Sequence, residues 1–276
     1  MKILVGTLKT NENEFEACCK SIQAQSYKHY DHQIIENLGS AEAHDKLYST
    51  FQNTSNKYDL LVKIDADMVI EDKELFDKIV SDFKNNKYLD HLFIPTYDHF
   101  VCRNLGGVNV YRNSVRWHAT TDNYFPDRVH KPETIRESKK WVVPEDKPLI
   151  HHCPNPSSYQ AFHFGLHRSI KAFQFGEKNK IYQKSHWMLF NDIKRNYYTK
   201  KDRRLLLTLG AARYVISHKL NDSYINYSNE NIYKIYEEIN RKNDDELYDY
   251  AVNNIYMRML NIFGMYSYYL ILIFKK

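Results

Sequence analysis

The strongest constraint on the fold is an alternation of strand-like and helix-like segments in the first third of the chain. Apolar runs at residues 2–8, 33–35, 58–64 and 91–95 have the composition of short strands. After each of the first three runs, apolar side chains recur every third or fourth position, as on one face of a helix. Strands that alternate with helices predict an α/β domain with a parallel sheet. Such sheets bind ligands beyond the carboxyl ends of their strands, so functional residues are expected there.

Several predicted helices begin beside a residue whose side chain can cap a helix N-terminus. Ser40 and Asp72 mark the second and third helices, and Ser157 marks a fourth in PNPSSYQAFHFGLHRS. The fourth helix is expected to bury an apolar stripe. That stripe contains Tyr159, Phe162, Leu166, Ile170 and Phe173. The exposed side of the same helix is expected to carry a basic face formed by His163, His167 and Lys171.

Periodicity fades in the middle of the chain and returns near its end. Residues 97–148 are rich in polar, aromatic and turn-forming side chains, which is typical of substrate loops. An uninformative surface excursion is the alternative interpretation. Beyond Gly176 the pattern is largely helical. We therefore expect one catalytic-size domain followed by a helical extension.

The net charge indicates the class of ligand, and the cysteines indicate the cellular compartment. The chain has 276 residues, 43% of them apolar, and a net charge of +5. A mild positive charge spread along the chain favours an anionic ligand or a phospholipid surface, and nucleic acid is not expected. An ordinary basic surface explains the charge equally well. The four cysteines show no C-x-x-C pair and no zinc spacing, so a reduced, cytoplasmic location is expected.

The two ends of the sequence differ in character. The N-terminal MKILVGTLKTNE is predicted to be a first strand and not a signal peptide, because its apolar run is too short. Residues 255–274 are apolar over about the length that spans a bilayer, although Arg258 and Asn261 interrupt them. We expect a helix that lies on a membrane or docks on the domain, with a membrane span as the alternative.

Two carboxylates close the third predicted strand, in LVKIDADMVIED. Asp65 and Asp67 are separated by one residue at a point where the chain can turn. Such a turn would bring both carboxylates toward one ion. Oxygen ligands of this kind suit a hard divalent cation, Mg²⁺ or Mn²⁺. A D-x-D motif alone is a weak signal, and its place after an apolar strand in the third βα unit strengthens it.

These features resemble the GT-A glycosyltransferases, in particular the bacterial family that builds surface polysaccharides, over roughly residues 1–175. The resemblance rests on VGTLKTNENEFEACCKSIQAQ, IIENLGS, AEAHDKLY and the D-x-D motif. It implies a single Rossmann-like GT-A domain at residues 1–176 and a mainly helical C-terminal extension at residues 177–276. It also implies transfer of a sugar from a nucleotide-diphosphate donor to a saccharide or lipid-linked saccharide acceptor, at or near the inner face of the cell membrane.

The resemblance also assigns candidate site residues. Those implied to contact the nucleotide sugar are Thr7, Leu8, Glu36, Asn37, Lys46 and Asp65. The usual Arg-Asn of the helix after the second strand is replaced here by His44-Asp45-Lys46. Many enzymes of this fold recruit a late histidine as a further metal ligand, which implies His151 or His152 beside Asp65 and Asp67. Neutral imidazole suits Mn²⁺ better than Mg²⁺. A turn histidine held by a backbone carbonyl is the alternative.

The resemblance further implies that the cation bridges the diphosphate and stabilises the nucleotide as it leaves. If the reaction inverts configuration, a carboxylate must accept the proton of the acceptor hydroxyl. Asp122 in HATTDNYF is the first candidate and Asp127 in FPDRV the second. Asp127 could equally form an ion pair with Arg128.

Two other functions stay open on the sequence. A phosphotransferase or phosphatase with a D-x-D nucleophile normally carries the motif after its first strand, followed by Thr or Val. Here the motif follows the third strand and precedes Met68. A non-catalytic, peripheral membrane binding module on the same fold is the second alternative.

Overall fold

The computed structural model describes residues 1–119, 124–125, 127–173, 180–224 and 230–253, with side chains except at residues 180–187 and 222. Contacts divide the chain into two compact units, Met1–Asn155 and Pro156–Lys276. The first unit mixes strands and helices, and the described elements of the second are helical. The chain is therefore of mixed α/β class, as predicted.

The first unit contains one mixed sheet, which has eight strands within the described residues. The strands are β1 (Ile3–Leu8), β2 (Tyr30–Ile35), β3 (Leu60–Asp65), β4 (Met68–Ile70), β5 (Leu89–Asp98), β6 (Arg103–Arg112), β7 (Glu137–Lys140) and β8 (Ile150–His152). Their order is β2-β1-β3-β6-β5-β8-β4, and β7 pairs with β5. The helices are α1 (Phe15–Gln23), α2 (Ser40–Asn53) and α3 (Leu75–Asn85), with a 3-10 turn at Pro132–Thr134.

The prediction of a parallel sheet is correct for β1, β2 and β3 and wrong for the sheet as a whole. Strand β6 runs antiparallel to both β3 and β5, and β4 runs antiparallel to β8. Strand β6 lies inside the segment that was expected to be irregular. Its two glycines conceal the strand in the sequence, yet Gly107 is required by packing, because a Cβ there would lie 2.3 Å from the backbone oxygen of Ile94.

The central strands are buried on both faces of the sheet, because alternate residues pack into different hydrophobic cores. Ile3 and Val5 pack with side chains of α1 and α3, while Leu4 packs with side chains of α2. Alternation of this kind follows from the two-residue repeat of a strand. Along β1 and β3, only the last residue, Leu8 or Asp65, is not buried.

The predicted helix starts have mixed outcomes. Ser157 behaves as a cap, since its hydroxyl accepts from Gln160 N at 3.1 Å and Gln160 Oε1 accepts from Ser157 N at 3.0 Å. Ser40 is the first helical residue of α2 and makes no side-chain cap. The Asp72 carboxylate accepts from Glu74 N at 3.0 Å, just before α3 begins.

The second unit is built from helices. They are α4 (Ser158–Phe173), α5 (Lys180–Lys200), α6 (Arg203–His218), α7 (Glu230–Asn240) and α8 (Asp244–Tyr248), with a 3-10 turn at Asp222–Tyr224 and a π-helical turn at Asp249–Asn253. The unit begins at Pro156, whereas the predicted domain boundary follows residue 176. Helix α4 belongs to the helical unit because it packs closely on α6. A Cβ at Gly165 would lie 2.1 Å from the backbone oxygen of Thr208.

The prediction of an exposed basic face on α4 is wrong for two of its three residues. His163 is 2% exposed and Lys171 is 8% exposed. Within the described residues, no helix is both long and apolar enough to cross a bilayer. The segment predicted to lie on a membrane, residues 255–276, is outside the described residues.

Candidate metal centre

The two carboxylates of the D-x-D motif lie in different surroundings. Strand β3 ends at Asp65, and the next two residues form a turn that leads into β4. The Asp65 carboxylate lies 3.1 Å from Lys63 Nζ. Asp67 instead lies beside His152 and Cys153, and the metal-ligand atoms of these three residues are all within 4.8 Å of one another. The expected convergence of Asp65 and Asp67 is therefore replaced by two neighbouring clusters.

The cluster of Asp67, His152 and Cys153, here called the metal cluster, combines oxygen, nitrogen and sulfur donors. Asp67 Oδ2 is 3.2 Å from His152 Nε2 and 3.2 Å from Cys153 Sγ. His152 Nε2 and Cys153 Sγ are 3.8 Å apart. Of the two histidines predicted as ligands, the structure places His152 beside Asp67. His151 packs edge-on against the Tyr97 ring, and its Nε2 is 4.0 Å from Glu71.

Strand pairing explains how residues far apart in sequence meet in this cluster. His152 is paired with Met68 of β4 on one side and with Asp98 of β5 on the other. The chain then turns at Cys153, whose φ is 50°, and Cys153 N donates to Asp67 O at 2.8 Å. Consecutive side chains of a regular strand point to opposite faces. The turn at Cys153 allows its thiol and the His152 imidazole to approach the same carboxylate.

The His152 ring is oriented by a buried carboxylate. Its Nδ1 donates to Asp98 Oδ2 at 2.6 Å, and Asp98 is completely buried. The other oxygen of Asp98 accepts from Phe100 N and Val101 N at 2.8 and 2.9 Å. With Nδ1 committed to Asp98, Nε2 faces Asp67. A carboxylate behind a ligand histidine is the usual arrangement in metal sites.

The metal cluster has strongly shifted acidities. Burial raises the pKa of Asp67, but the charge of His152 and hydrogen bonds from His152 and Cys153 outweigh it and set the pKa to about 2. Burial lowers the pKa of His152, but Cys153, Asp67 and Asp98 raise it well above its ordinary value. Burial and the Asp67 charge raise the pKa of the Cys153 thiol. The three side chains therefore interact strongly with one another through charge and hydrogen bonds.

One observation at Asp67 favours a bound cation. Its Oδ1 is buried and accepts no hydrogen bond from the described residues. A buried oxygen without a partner is costly, and a cation would remove that cost. The donor set and the unpaired oxygen both fit a divalent cation.

The second cluster, here called the lysine cluster, is centred on Lys63. Its ammonium lies 3.1 Å from Asp65 Oδ1 and 3.4 Å from Asp127 Oδ2, and the Lys63 side chain is 9% exposed. Tyr48 donates its hydroxyl to Asp127 Oδ1 at 2.8 Å, and His44 Nε2 is 3.7 Å from the same oxygen. Burial raises the pKa of Asp127, but Lys63, His44 and Tyr48 outweigh it and lower the pKa below its ordinary value.

The alternative pairing of Asp127 with its neighbour Arg128 is not what the structure contains. Arg128 Nε donates to Asp45 of α2, and its Nη2 is 3.4 Å from the Ser49 hydroxyl. Asp127 is instead held by Lys63 and Tyr48. Asp122, the first candidate base, lies outside the described residues.

Of the remaining predicted nucleotide contacts, Thr7 and Leu8 end β1, Glu36 and Asn37 follow β2, and Lys46 lies within α2. Thr7 is fully buried, and its hydroxyl is hydrogen-bonded to His32 Nε2 at 2.9 Å. Leu8 O accepts from Ala66 N at 3.2 Å. The Glu36 carboxylate accepts from Lys9 Nζ at 2.6 Å. Asn37 and Lys46 are exposed.

Three residues that the sequence did not single out are important in these clusters. Cys153 directly follows the HH pair, so its position was a usable signal. Lys63 was also visible, as a charged residue inside the apolar run LLVKID. Asp98 gave no local signal, because its contact with His152 depends on the pairing of β5 with β8.

No family model and no curated protein matches the chain. Among solved structures, the crystal structure of A197 from STIV is similar over 57% of this chain and 97% of its own, with 14% identity and a TM-score of 0.35. That likeness is too weak to support an argument about fold or function.

Proposed function

We propose that the protein is a metal-dependent glycosyltransferase that moves a sugar from a nucleotide-diphosphate donor to a saccharide or lipid-linked saccharide acceptor. The observation that carries the proposal is the 3.2 Å approach of Asp67 to His152. The resemblance to GT-A enzymes implies that a D-x-D aspartate and a late histidine share one ion. Asp67 Oδ1, which is buried and accepts no hydrogen bond from the described residues, supports a cation bound to this carboxylate.

The position of the motif in the sheet supports the same proposal. Asp65 closes β3, which is parallel to β1, so it lies at the strand edge where α/β sheets bind ligands. Its side chain is 38% exposed, and that of Asp127 is 41% exposed. We assign the first unit to the GT-A class as part of this proposal.

The residues of the metal cluster have distinct roles on this proposal. Asp67 and His152 hold the cation, and Asp98 fixes the orientation of the His152 ring. The bound cation supplies the positive charge that stabilises a diphosphate leaving group. Asp67 and His152 thereby set the place where the diphosphate of the donor binds.

The lysine cluster serves the donor nucleotide. The exposed part of the Asp65 carboxylate accepts hydrogen bonds from donor hydroxyl groups, while Lys63 beneath it fixes its orientation. Thr7 and Leu8 at the end of β1 contribute backbone near the nucleoside, because the Thr7 side chain is buried. Exposed Glu36, Asn37 and Lys46 provide further polar contacts. We include these residues as donor-binding candidates.

The surroundings of Asp127 argue against it as the catalytic base. A carboxylate whose pKa is lowered is a weak proton acceptor, and Lys63, His44 and Tyr48 lower the pKa of Asp127. We therefore assign Asp127 to the organisation of the lysine cluster and retain Asp122 as the proposed base.

The acceptor belongs to bacterial surface polysaccharide synthesis on this proposal. A lipid-linked acceptor would be met at the cytoplasmic face of the membrane. Residues 255–276 are apolar and end in two lysines, which is suited to contact with lipid phosphates.

The test is a thermal-shift panel of nucleoside diphosphates and nucleotide sugars, each with Mn²⁺, Mg²⁺, Co²⁺ or Zn²⁺, followed by a hydrolysis assay on the best donor. We expect the cation alone to raise Tm, and a nucleotide to raise it further only when the cation is present. Slow release of sugar should accompany it and be lost in Asp67→Asn. The matched control is Glu16→Gln, which removes a carboxylate that is 88% exposed and should leave both signals intact.

The same experiment separates the two alternatives. A phosphotransferase would release phosphate from a phosphomonoester and form an acyl phosphate on the motif. A binding module would bind anionic vesicles without hydrolysing any nucleotide sugar. If no nucleotide, sugar nucleotide or cation shifts Tm, the proposal is wrong.

A further inference from the structure

We infer that Cys153 is a third protein ligand of the cation and binds it as a thiolate, so that the metal cluster selects a borderline-soft ion such as Zn²⁺ or Co²⁺ over Mg²⁺. The inference deepens the proposed function and rests on it only for the position of the cation between Asp67 and His152. It differs from the hard-ion expectation that the two aspartates alone suggest.

The donor separations fit a tetrahedral ion. The three distances within the cluster are 3.2, 3.2 and 3.8 Å. Zinc bonds of about 2.0 Å to oxygen and nitrogen and about 2.3 Å to sulfur place tetrahedral donors about 3.3 to 3.5 Å apart. Octahedral oxygen donors at about 2.1 Å from Mg²⁺ would be only about 3.0 Å apart. The observed separations bracket the tetrahedral values.

The chemistry of the donors leads to the same class of ion. Thiolate and imidazole are ligands of Zn²⁺ and related transition metals, whereas Mg²⁺ prefers carboxylate, carbonyl and water oxygens. Cys153 is 4% exposed and forms no disulfide. A buried thiol whose sulfur lies 3.2 Å from a carboxylate is therefore available to the ion and shielded from solvent.

The backbone holds the three donors in place before any ion arrives. Cys153 N donates to Asp67 O at 2.8 Å, which ties the turn after β8 to the turn before β4. Asp98 holds the His152 ring from behind at 2.6 Å. Little rearrangement is needed for binding, and one position of a tetrahedral ion stays open for a phosphate oxygen or water.

Binding balances in protons and charge. The S–H bond of Cys153 and the Nε2–H bond of His152 are replaced by bonds to the ion. Two protons leave to solvent, and no electron is transferred. One carboxylate and one thiolate then neutralise the divalent ion, with Asp98 as an additional nearby carboxylate.

The test is a titration of the full-length, chelator-treated protein with Co²⁺ under anaerobic conditions, followed by absorbance and calorimetry. Wild-type protein should show a thiolate-to-cobalt charge-transfer band in the near ultraviolet and intense tetrahedral bands in the visible. Cys153→Ser should lose the charge-transfer band. Cys19→Ser, which removes a half-buried thiol elsewhere, should retain it. Zn²⁺ should displace Co²⁺, and Mg²⁺ in large excess should not.

Several outcomes would overturn the inference. Co²⁺ binding by calorimetry without a charge-transfer band would show that Cys153 is only a hydrogen-bond donor to Asp67. Persistence of the band in Cys153→Ser would place the thiolate elsewhere. Circular dichroism of Cys153→Ser and Cys153→Ala, which must both match wild type, guards against misfolding.

Failure of this inference can be distinguished from failure of the proposed function. If the protein hydrolyses a nucleotide sugar in a cation-dependent way but shows no thiolate band, the inference about Cys153 is wrong and the proposed function stands. If the thiolate band is present but no nucleotide changes Tm, the proposed function is wrong and the metal site stands. Absence of cation binding removes both.

Discussion

The metal cluster and the lysine cluster contain carboxylates only two positions apart, yet the carboxylates have different kinds of partner. In the lysine cluster, the Lys63 ammonium lies within 3.4 Å of both Asp65 and Asp127, so both carboxylates face an amino group that stays charged. In the metal cluster, the partner of Asp67 is the His152 imidazole, which can release a proton and bind an ion, and Asp67 Oδ1 has no hydrogen-bond partner among the described residues. A motif of two aspartates can therefore supply one carboxylate for an ion and one for a different task.

The difference arises from where β3 ends. Residues two apart in a strand point to the same face, so a longer strand would place both carboxylates together. The chain turns after Asp65, and Asp67 becomes part of the connection to β4. That connection brings Asp67 to β8, while Asp65 stays above Lys63 of its own strand.

The largest expected effect is the difference between neutralising Asp67 and neutralising Asp65. Asp67→Asn should abolish the cation-dependent rise in Tm, which for wild type is equivalent to about 2.7 kcal/mol at a cation concentration of 100 Kd. Asp65→Asn should retain that rise, because its carboxylate is paired with Lys63 and not with the ion. Equal loss in both variants would mean that the two clusters share one ion. Thermal shifts with and without cation are the measurement.

A smaller loss of stability is expected from removing the lysine. Lys63→Met should lower the free energy of unfolding by about 2 kcal/mol, because two carboxylates then lose their counter-ion. The figure lies between those for exposed and buried pairs, since the side chains of Asp65 and Asp127 are 38% and 41% exposed. Adding Asp127→Asn should recover part of the loss, which a double-mutant cycle by urea unfolding would reveal. Cation affinity should stay unchanged.

Asp98→Asn should weaken cation binding without abolishing it. The amide oxygen can still accept from His152 Nδ1, but it lacks the charge that makes the imidazole a strong donor. Loss of such a supporting carboxylate typically costs about 10- to 100-fold in metal affinity. Calorimetric titration of both proteins measures the ratio, and an unchanged affinity would show that His152 is not a ligand.

The smallest effect concerns pH and the lysine cluster. Because the pKa of Asp127 is lowered in the folded protein, its contribution to stability is fully present above the ordinary carboxyl pKa of about 3.9 and is lost as pH falls through the folded value. The stability difference between wild type and Asp127→Asn, on the order of 1 kcal/mol, should be constant from about pH 5 to 8. It should vanish at lower pH. Urea unfolding at a series of pH values measures it.

Local patterns were sufficient for part of the fold. The parallel order of β1 to β3 and the helices between them follow from periodicity that a single sequence displays. Strand β6 was missed because Gly106 and Gly107 and its polar side chains read as a loop, although the packing of Gly107 on Ile94 explains the glycine. The boundary after Asn155 was missed because α4 was assigned by its own pattern, while its place is determined by packing on α6.

The candidate site, like the fold, was only partly predictable from local patterns. Asp67 and His152 were identified as candidates from motif and resemblance. Cys153 was visible beside His152, but a single cysteine has no spacing that marks a ligand. Asp98 and the contact between Lys63 and Asp127 depend on pairings across more than fifty residues, and a local pattern cannot contain them.

The short strand β8 gives the metal cluster a dynamic property. Among the described strands, β4 joins the sheet through β8, and β8 is only three residues long. A ladder of this length opens more readily than the six-residue ladder of β1 with β3. Each opening of β8 would separate His152 from both Asp67 and Asp98. An ion that binds the closed arrangement would therefore slow amide hydrogen exchange in β4 and β8, while exchange in β1 and β3 would stay the same.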